Sequence, residues 1–485
     1  MKFKDQYWLT PENIAASLKA AKPWSRDADV PDPLDFTDFK RRPDLLAQAI
    51  EKRLVDSSLW GTTRRMPAPK PQGETRRLTC VDPIAEIGFR QIGGRLAHHV
   101  ERSLPAAVFS TRIETVGDTW QAQPWQQARR RFDNAVRSGQ SEGTYEGKGA
   151  LDVASHYPTV QHDHLQEILN SVGAPAGAVQ DLIGVLASLP TSAAGIPIGP
   201  EASAILGTVA LLPLDRLLAR GSAKVFRWMD DFVVLISGEA EYLELKGRAE
   251  QQLKLGGQNL NAGKCTYEPL GTVSFEDLLL SGDTGDGSFA RDPANELRVY
   301  ADYQEPGRVR ALLGQLRRNG DARGIEIIRT HPWILDRFPK QTTSYLHRVA
   351  NAIGDWAWIV ESLLRETDDS DALTQLHLAR ILPSDQLGPS VARQLFDKAL
   401  TTPPRDYAPL ANELFVAVGR SSESVHIRRN RAMDYAMEQA NLDVLRALLS
   451  TFRDGNPSVA HKHGIASVTR RVPELAALGD AILAA

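Results

Sequence analysis

Two apolar, β-prone halves, Val225-Phe226-Arg227-Trp228 and Phe232-Val233-Val234-Leu235, enclose Met229-Asp230-Asp231. Such a pair predicts a tight hairpin with Asp230 and Asp231 at its turn. Upstream, Ala150-Leu151-Asp152-Val153 predicts a strand. Ser155 to Thr159 predicts a turn marked by Pro158, and a helix runs from His162 to about Val172. Pro200 to Leu218 predicts a second helix, entered through Gly195-Ile196-Pro197-Ile198-Gly199-Pro200. After the hairpin come a helix over Ala240 to Leu255 and a short segment, Leu260 to Tyr267.

Residues 1–60 read as mostly helical. Pro43-Asp44 suits a helix start, since Pro is tolerated in the first turn and Asp complements the dipole. Leu45, Leu46, Ile50 and Leu54 follow at helical spacing. Gly61 to Gly73, rich in Pro, Arg and Thr, predicts a loop. A strand over Leu78-Thr79-Cys80-Val81 and a helix from Ile84 to Leu104 come next. Ser281 to Ser288 has linker composition and marks a domain boundary. Beyond it, amphipathic helices dominate: Val309 to Leu316, Leu346 to Leu363, and Leu442 to Leu449. Helix pairs of this length resemble an α-solenoid, with an irregular bundle as the alternative. The expected division is an N-terminal helical segment at 1–60, a mixed α+β domain at 61–285 and an all-α domain at 290–485.

Composition leaves this picture in place. The chain has 485 residues, 42% hydrophobic and 24% charged, enough for several packed cores. No apolar run reaches the ~20 residues needed to span a bilayer. Met1 to Gln6 is followed by no apolar stretch of the kind a secretory signal carries. The two cysteines, Cys80 and Cys265, stand far apart, so a disulfide framework or zinc finger is not expected and a reducing cytoplasm fits. Charge changes more. Residues 40–137 carry 18 Lys/Arg against 10 Asp/Glu, a local +8 that leaves −11 for the rest of a chain of net −3. A basic segment on an acidic protein suits a confined phosphate-binding groove.

Paired carboxylates beside a third, strand-borne carboxylate are hard oxygen ligands for divalent cations. Four motifs fall in order around them. The first is Asp152, Tyr157, Thr159, Val160 and His162. The second runs from the Gly195–Pro200 loop through Glu201-Ala202-Ser203 to Leu214-Asp215. The third is Trp228 to Asp231, and the fourth is Leu260-Asn261-Ala262-Gly263-Lys264. Over residues 76–270 this series resembles the fingers and palm of a reverse transcriptase. In detail it looks most like the bacterial abortive-infection and defence-associated reverse transcriptases, in which a palm precedes a C-terminal helical-repeat (HEAT-like) domain.

The resemblance implies an α+β fold and a two-metal nucleotidyl transferase acting in the bacterial cytoplasm in antiphage defence. Asp152, Asp230 and Asp231 with the Val153 carbonyl would hold two Mg²⁺ ions, Mn²⁺ being the alternative. One ion would lower the pKa of the attacking 3′-hydroxyl and the other would neutralise the triphosphate. Lys264 would protonate the leaving pyrophosphate, Arg76 or Arg77 would meet the phosphates, and Gly199 and Ser203 would line the nucleotide site. Tyr157 would exclude a ribose 2′-hydroxyl, making the substrates dNTPs and the product DNA. The partners implied are nucleic acid, with a non-coding RNA as one template, and further copies of the chain; no membrane is implied.

Ile198 stands where templated members carry Gln, which points away from ordinary templating. Copying of a partner RNA, untemplated addition, and priming on an own tyrosine (Tyr7, Tyr300 or Tyr303) therefore stay open. Two rivals remain. One is a scaffold or sensor that binds a phage or host protein through the helical domain. The other is a retron-type enzyme, disfavoured because no compact basic thumb is present. His98-His99, His162-Asp163-His164 and His461/His463 lack partner ligands at useful spacing, and Gly257 to Lys264 departs from the phosphate-loop spacing.

Overall fold

The computed structural model describes residues 9–20, 30, 32, 34–61, 63–70, 75–116, 119–190, 195–270, 292–368, 371–383, 387–402, 408–419, 425–439, 441–452 and 457–483. The expected linker at 281–288 and Tyr7 lie outside them. Secondary structure is mixed α+β with helix predominating. Among the described residues no helix is long and apolar enough to cross a membrane.

The chain forms two compact units. The first comprises Met1–Lys22, Ile50–Gly61 and Ile84–Leu280; the second comprises Pro23–Ala49, Thr62–Pro83 and Ser281–Ala485. In chain order the elements are α1 (Pro11–Ala20), α2 (Pro43–Val55), β1 (Arg64–Pro69), β2 (Thr75–Cys80) and α3 (Pro83–Ser103). There follow β3 (Ile113–Val116), β4 (Thr119–Ala122), α4 (Trp125–Ser141), β5 (Gly147–Ala154), α5 (His156–Thr159), α6 (His162–Ser171) and α7 (Ala176–Ala187). The last elements of the first unit are α8 (Glu201–Ala210), α9 (Leu212–Leu218), β6 (Lys224–Trp228), β7 (Asp231–Ile236), α10 (Glu239–Leu255), β8 (Asn259–Leu260) and β9 (Thr266–Pro269).

In the first unit β5 is the central strand of an antiparallel sheet, with β6 outside β7 on one side and β8 and β9 on the other. Side chains alternate between its faces. Leu151, Val153, Phe232, Val234 and Ile236 pack against Leu211, Leu214 and Leu218 and against Tyr242, Leu245, Ala249 and Leu253 of α10. Each such burial contributes about 1.5–3 kcal/mol before entropy is subtracted. The opposite face of β7 carries Asp231, Val233 and Leu235, and there Phe132 and Val136 of α4 pack with Phe226 and Leu235. Asp152 stands opposite Asp231 in register, so both carboxylates emerge on the α4 face.

Four local expectations are corrected. Arg64–Pro69 is a strand rather than loop, because Pro67 and Pro69 sit in a two-stranded ladder where a missing N–H is tolerated. The helix expected over 200–218 is two helices, since Pro213 cannot donate to the turn before it. The segment 155–159 coils into the single helical turn α5. Leu346 to Leu363 is also divided, between Pro339–Arg348 and Ala357–Leu364, with Gly354 and Asp355 in the break.

The second unit holds the hairpin β1–β2 and a series of helices from Pro293–Asp302 to Ala476–Leu483. Helix Ala372–Ile381 packs against Pro339–Arg348, Ala408–Gly419 and β1, and Ala408–Gly419 packs on Leu442–Ser450. Two arginines tie Asp32, Asp35 and Asp38 to these helices. The guanidinium of Arg446 is fully enclosed and donates to both Asp32 and Asp38. Arg380 bonds Asp35 and Glu413.

Candidate active site

The hairpin turn consists of Met229 and Asp230, and Trp228 pairs with Asp231. Asp231 therefore opens strand β7 instead of sharing the tip with Asp230, which corrects the expected turn. Met229 has φ +58°, a conformation that disfavours a residue with a Cβ. Such a conformation persists where neighbours over-determine it. Here the Met229 N–H donates to Ser110 Oγ at 2.6 Å, and its carbonyl accepts from Arg227 Nη1 at 3.0 Å. Thr111 Oγ1 lies 3.3 Å from its sulfur.

Arg227 is itself fully buried and held by Asp215, at the end of the second sequence motif. Nη2 donates to Asp215 Oδ2 at 2.8 Å and to the Thr208 carbonyl at 3.0 Å. Nε lies 2.8 Å from Oδ1, poorly aligned for a hydrogen bond, so that contact is ionic. Burial pushes the Asp215 carboxyl up to about 6 against the pull of Arg227.

Three carboxylates and one amine converge beyond this support. Lys264, in a 3₁₀ turn over Ala262–Lys264, places Nζ 3.0 Å from Asp152 Oδ1. The Asp152 carbonyl accepts from Asn261 N at 2.8 Å, and Val153 N donates to the Asp230 carbonyl at 3.3 Å. Burial raises the pKa of Asp230, with the Asp152 charge adding to it. The carboxyl of Asp231 is raised by its enclosure, by a hydrogen bond with Asp152, and by the charges of Asp230 and Asp152. Since the Asp231 side chain still opens to solvent, the adjacent like charges are the firmer cause. The ammonium of Lys264 is stabilised by its bond to Asp152, and its pKa is raised.

Tyr157 is half-buried in α5. Its ring lies so close to Gly207 of α8 that a Cβ there would stand 3.1 Å from Cζ. His156 meets the same glycine: Nε2 donates to the Gly207 carbonyl at 2.8 Å while Nδ1 accepts from Gln258 at 2.7 Å. Burial lowers the pKa of this imidazole to about 4, so it is neutral at pH 7, with its proton on Nε2. The first two motifs are stitched together through Gly195. The Gly195 N–H donates to the Val160 carbonyl at 2.8 Å, and Ile196 N–H to the Tyr157 carbonyl at 2.9 Å. His162 Nε2 donates to the Gly195 carbonyl at 2.7 Å. With φ +94° and the Pro158 carbonyl 2.5 Å from where a Cβ would stand, only glycine fits this position. Thr159 turns its hydroxyl back to the carbonyls of Ser155 and His156. In the loop and α8, Gly199 is exposed at φ +130°, and Ser203 is buried with no hydrogen-bond partner for its hydroxyl among the described residues. Arg76 and Arg77 lie exposed on β2, in the other unit.

A polar cluster that sequence spacing alone does not reveal fixes the start of α8. Glu86 Oε1 accepts from Glu201 N at 3.0 Å, and Arg90 pairs with Glu201. The Arg90 guanidinium stacks 3.9 Å above the Trp120 ring. One arginine serves two carboxyls, and burial pushes Glu86 up to about 8, so Glu86 is protonated at neutral pH. Its unfolded value is near 4.5. The stability this gives is complete below about pH 4.5 and is lost as pH rises through 8. Glu86→Gln keeps the acceptor oxygen and removes the titration. The variant is expected to gain about 2–4 kcal/mol relative to wild type between pH 5 and 8. Thermal unfolding across that range checks this, and parallel curves would refute it.

As to a cation, no three His, Cys, Asp or Glu side chains among the described residues form a ready-made cage. The donor chemistry nevertheless fits Mg²⁺, which takes one or two carboxylates and fills the rest of its shell with water and substrate phosphate. Asp152, Asp230 and Asp231 supply hard oxygens whose mutual repulsion a cation would relieve.

No protein-family model matches the chain, and no curated protein matches it. Among solved structures, telomerase from Candida albicans, in complex with the TWJ fragment of telomeric RNA, is similar over 76% of this chain and 68% of its own. The identity is 10% and the TM-score 0.32, a likeness too slight to carry function.

Proposed function

We propose that this chain is a reverse-transcriptase-like DNA polymerase that adds dNTPs by two-metal nucleotidyl transfer. The observation that carries the reading is the pairing of Asp152 with Asp231 in register, beside Asp230 on a clamped turn and 3.0 Å from the ammonium of Lys264. Asp152, Asp230, Asp231 and the Val153 carbonyl are the expected cation ligands. Divalent ions bound there would acidify the 3′-hydroxyl and offset the phosphate charge. Lys264 holds a proton next to Asp152 and would give it to the departing pyrophosphate. By the motif resemblance, Gly199 and Ser203 would border the nucleotide. The motif resemblance supports a role in bacterial antiphage defence, in the cytoplasm, by a homo-oligomer bound to nucleic acid.

The test is to incubate the purified protein with Mg²⁺ and each labelled dNTP, before and after nuclease treatment, and to run the products with and without protease. Product that needs a nuclease-sensitive RNA means templated synthesis. Product that survives nuclease and shifts with protease means untemplated, protein-primed synthesis. No incorporation under any condition would defeat the reading.

Sugar selection follows from the same site. Tyr157→Ala is expected to raise ribonucleotide use about 100-fold relative to deoxynucleotide, the scale of a lost steric contact. Competition between labelled dNTP and NTP reads this directly; an unchanged ratio removes the gate role.

A further inference from the structure

Helix α4 is amphipathic in an unusual way. Ala128, Phe132, Val136 and Gly139, at helical spacing, are buried. They seat the helix on the sheet face that bears Asp152 and Asp231. The Phe132 ring lies 5.9 Å from that of Trp228, the register partner of Asp231. Arg129 bridges the two aromatics, 5.2 Å from Phe132 and 5.4 Å from Trp228, and is neutralised by Asp133 at 3.0 Å.

The outer face is different. Gln127, Arg130, Arg131, Asn134 and Arg137 are exposed, with Trp125 half-exposed at the helix start. No acidic side chain of α4 lies among them, for Asp133 is turned inward to Arg129. Among the described residues Arg131 bonds only to the neutral Gln123, and Arg130 and Arg137 have no ion-pair partner. A merely solvated helix face normally interleaves both signs at i,i+4 spacing. Three uncompensated guanidinium groups along two turns, flanked by amides and an indole, instead match a polyphosphate chain carrying planar bases.

We propose that the outer face of α4 binds the phosphodiester backbone of the polynucleotide that is extended at the carboxylate cluster. Arg130 and Arg137, about 10 Å apart along the axis, contact separate phosphates with Arg131 beside them. This rests on the polymerase reading for the identity of the strand, and on charge and placement for the surface itself.

The experiment is a salt titration of binding to fluorescent single-stranded DNA, single-stranded RNA and an RNA–DNA hybrid. It compares wild type with Arg130→Gln/Arg131→Gln/Arg137→Gln. An Arg310→Gln/Arg317→Gln/Arg318→Gln control removes the same charge from the helix Val309–Asn319. The α4 variant is expected to flatten the slope of log affinity against log salt by about 2. It should leave the KM for dNTP unchanged at saturating polynucleotide. The arms show whether the DNA or the RNA strand lies on the face. An unaltered slope, an equal change in the control, or no binding by wild type overturns the proposal. A flattened slope in a protein that incorporates no nucleotide keeps the surface and defeats the polymerase reading instead.

Discussion

Asp152→Asn should lower deoxynucleotide incorporation about 1000-fold while leaving the melting temperature unchanged or slightly higher. A cation site that loses one carboxylate forfeits several kcal/mol of transition-state charge stabilisation, and each 1.36 kcal/mol is tenfold in rate. The fold has no comparable stake in this charge. The strand contacts of Asp152 run through its backbone: its carbonyl accepts from Asn261, and its register with Asp231 is set by the ladder. Its ion pair among the described residues is to Lys264, whose side chain is 61% exposed and can turn its ammonium to solvent once the charge of the 8% exposed Asp152 is gone. Removing the charge also relieves the crowding that raises the pKa of Asp230 and Asp231. Asp230→Asn with Asp231→Asn should behave alike. The measurement is labelled-nucleotide incorporation beside a thermal melt. Activity within tenfold of wild type would remove Asp152 from the site, and a large fall in melting temperature would make its role structural.

The carboxylates were legible in sequence because apolar, β-prone segments at 225–228, 232–235 and 150–153 mark the strands around them, and the four motifs fall in order. Their exact seating was not. Whether Asp231 shares the turn or opens the strand depends on Met229 adopting φ +58°, which no local preference favours. Ser110 and Arg227 impose it, the former from more than a hundred positions upstream. The same limit hid Glu86 and Arg90. Their i,i+4 spacing is visible, but their shared partner, Glu201, comes from another helix. Helix α4 carries a signal of its own in Ala128, Phe132 and Val136, which repeat at four-residue steps, but three apolar positions among so many polar ones are a weak one. Its arginines are in sequence only part of the broad positive stretch over 40–137. The prolines of β1 point to a loop, and only its pairing with β2 makes it a strand. At the Met229 turn, at Glu86 and Arg90 and at β1, a partner from elsewhere in the chain decides what local composition does not.

Arg227→Met should destabilise the sheet-bearing unit by about 3–5 kcal/mol, the cost of leaving a buried charge without its partner. Arg227 is wholly enclosed, and its loss strands the Asp215 carboxylate together with the carbonyls of Thr208 and Met229. The second variant, Arg227→Met/Asp215→Leu, replaces the pair with apolar groups and should recover most of that loss. It does not restore the clamp on Met229, so its nucleotide incorporation should stay depressed even where its stability returns. This separation tells a positioning role from a purely structural one. The sign of the pH effect follows from Asp215, which burial already holds near 6 with its partner present. Without Arg227 the carboxyl is driven higher still, so the variant takes up its proton at a higher pH than wild type, and its deficit should shrink as pH falls towards about 6 and stay level below it. Denaturant unfolding at pH 5 and pH 8 measures both terms. A single variant losing under 1 kcal/mol, or a deficit that grows on acidification, would show that Arg227 and Asp215 do not carry the support assigned to them beneath the Met229-Asp230 turn.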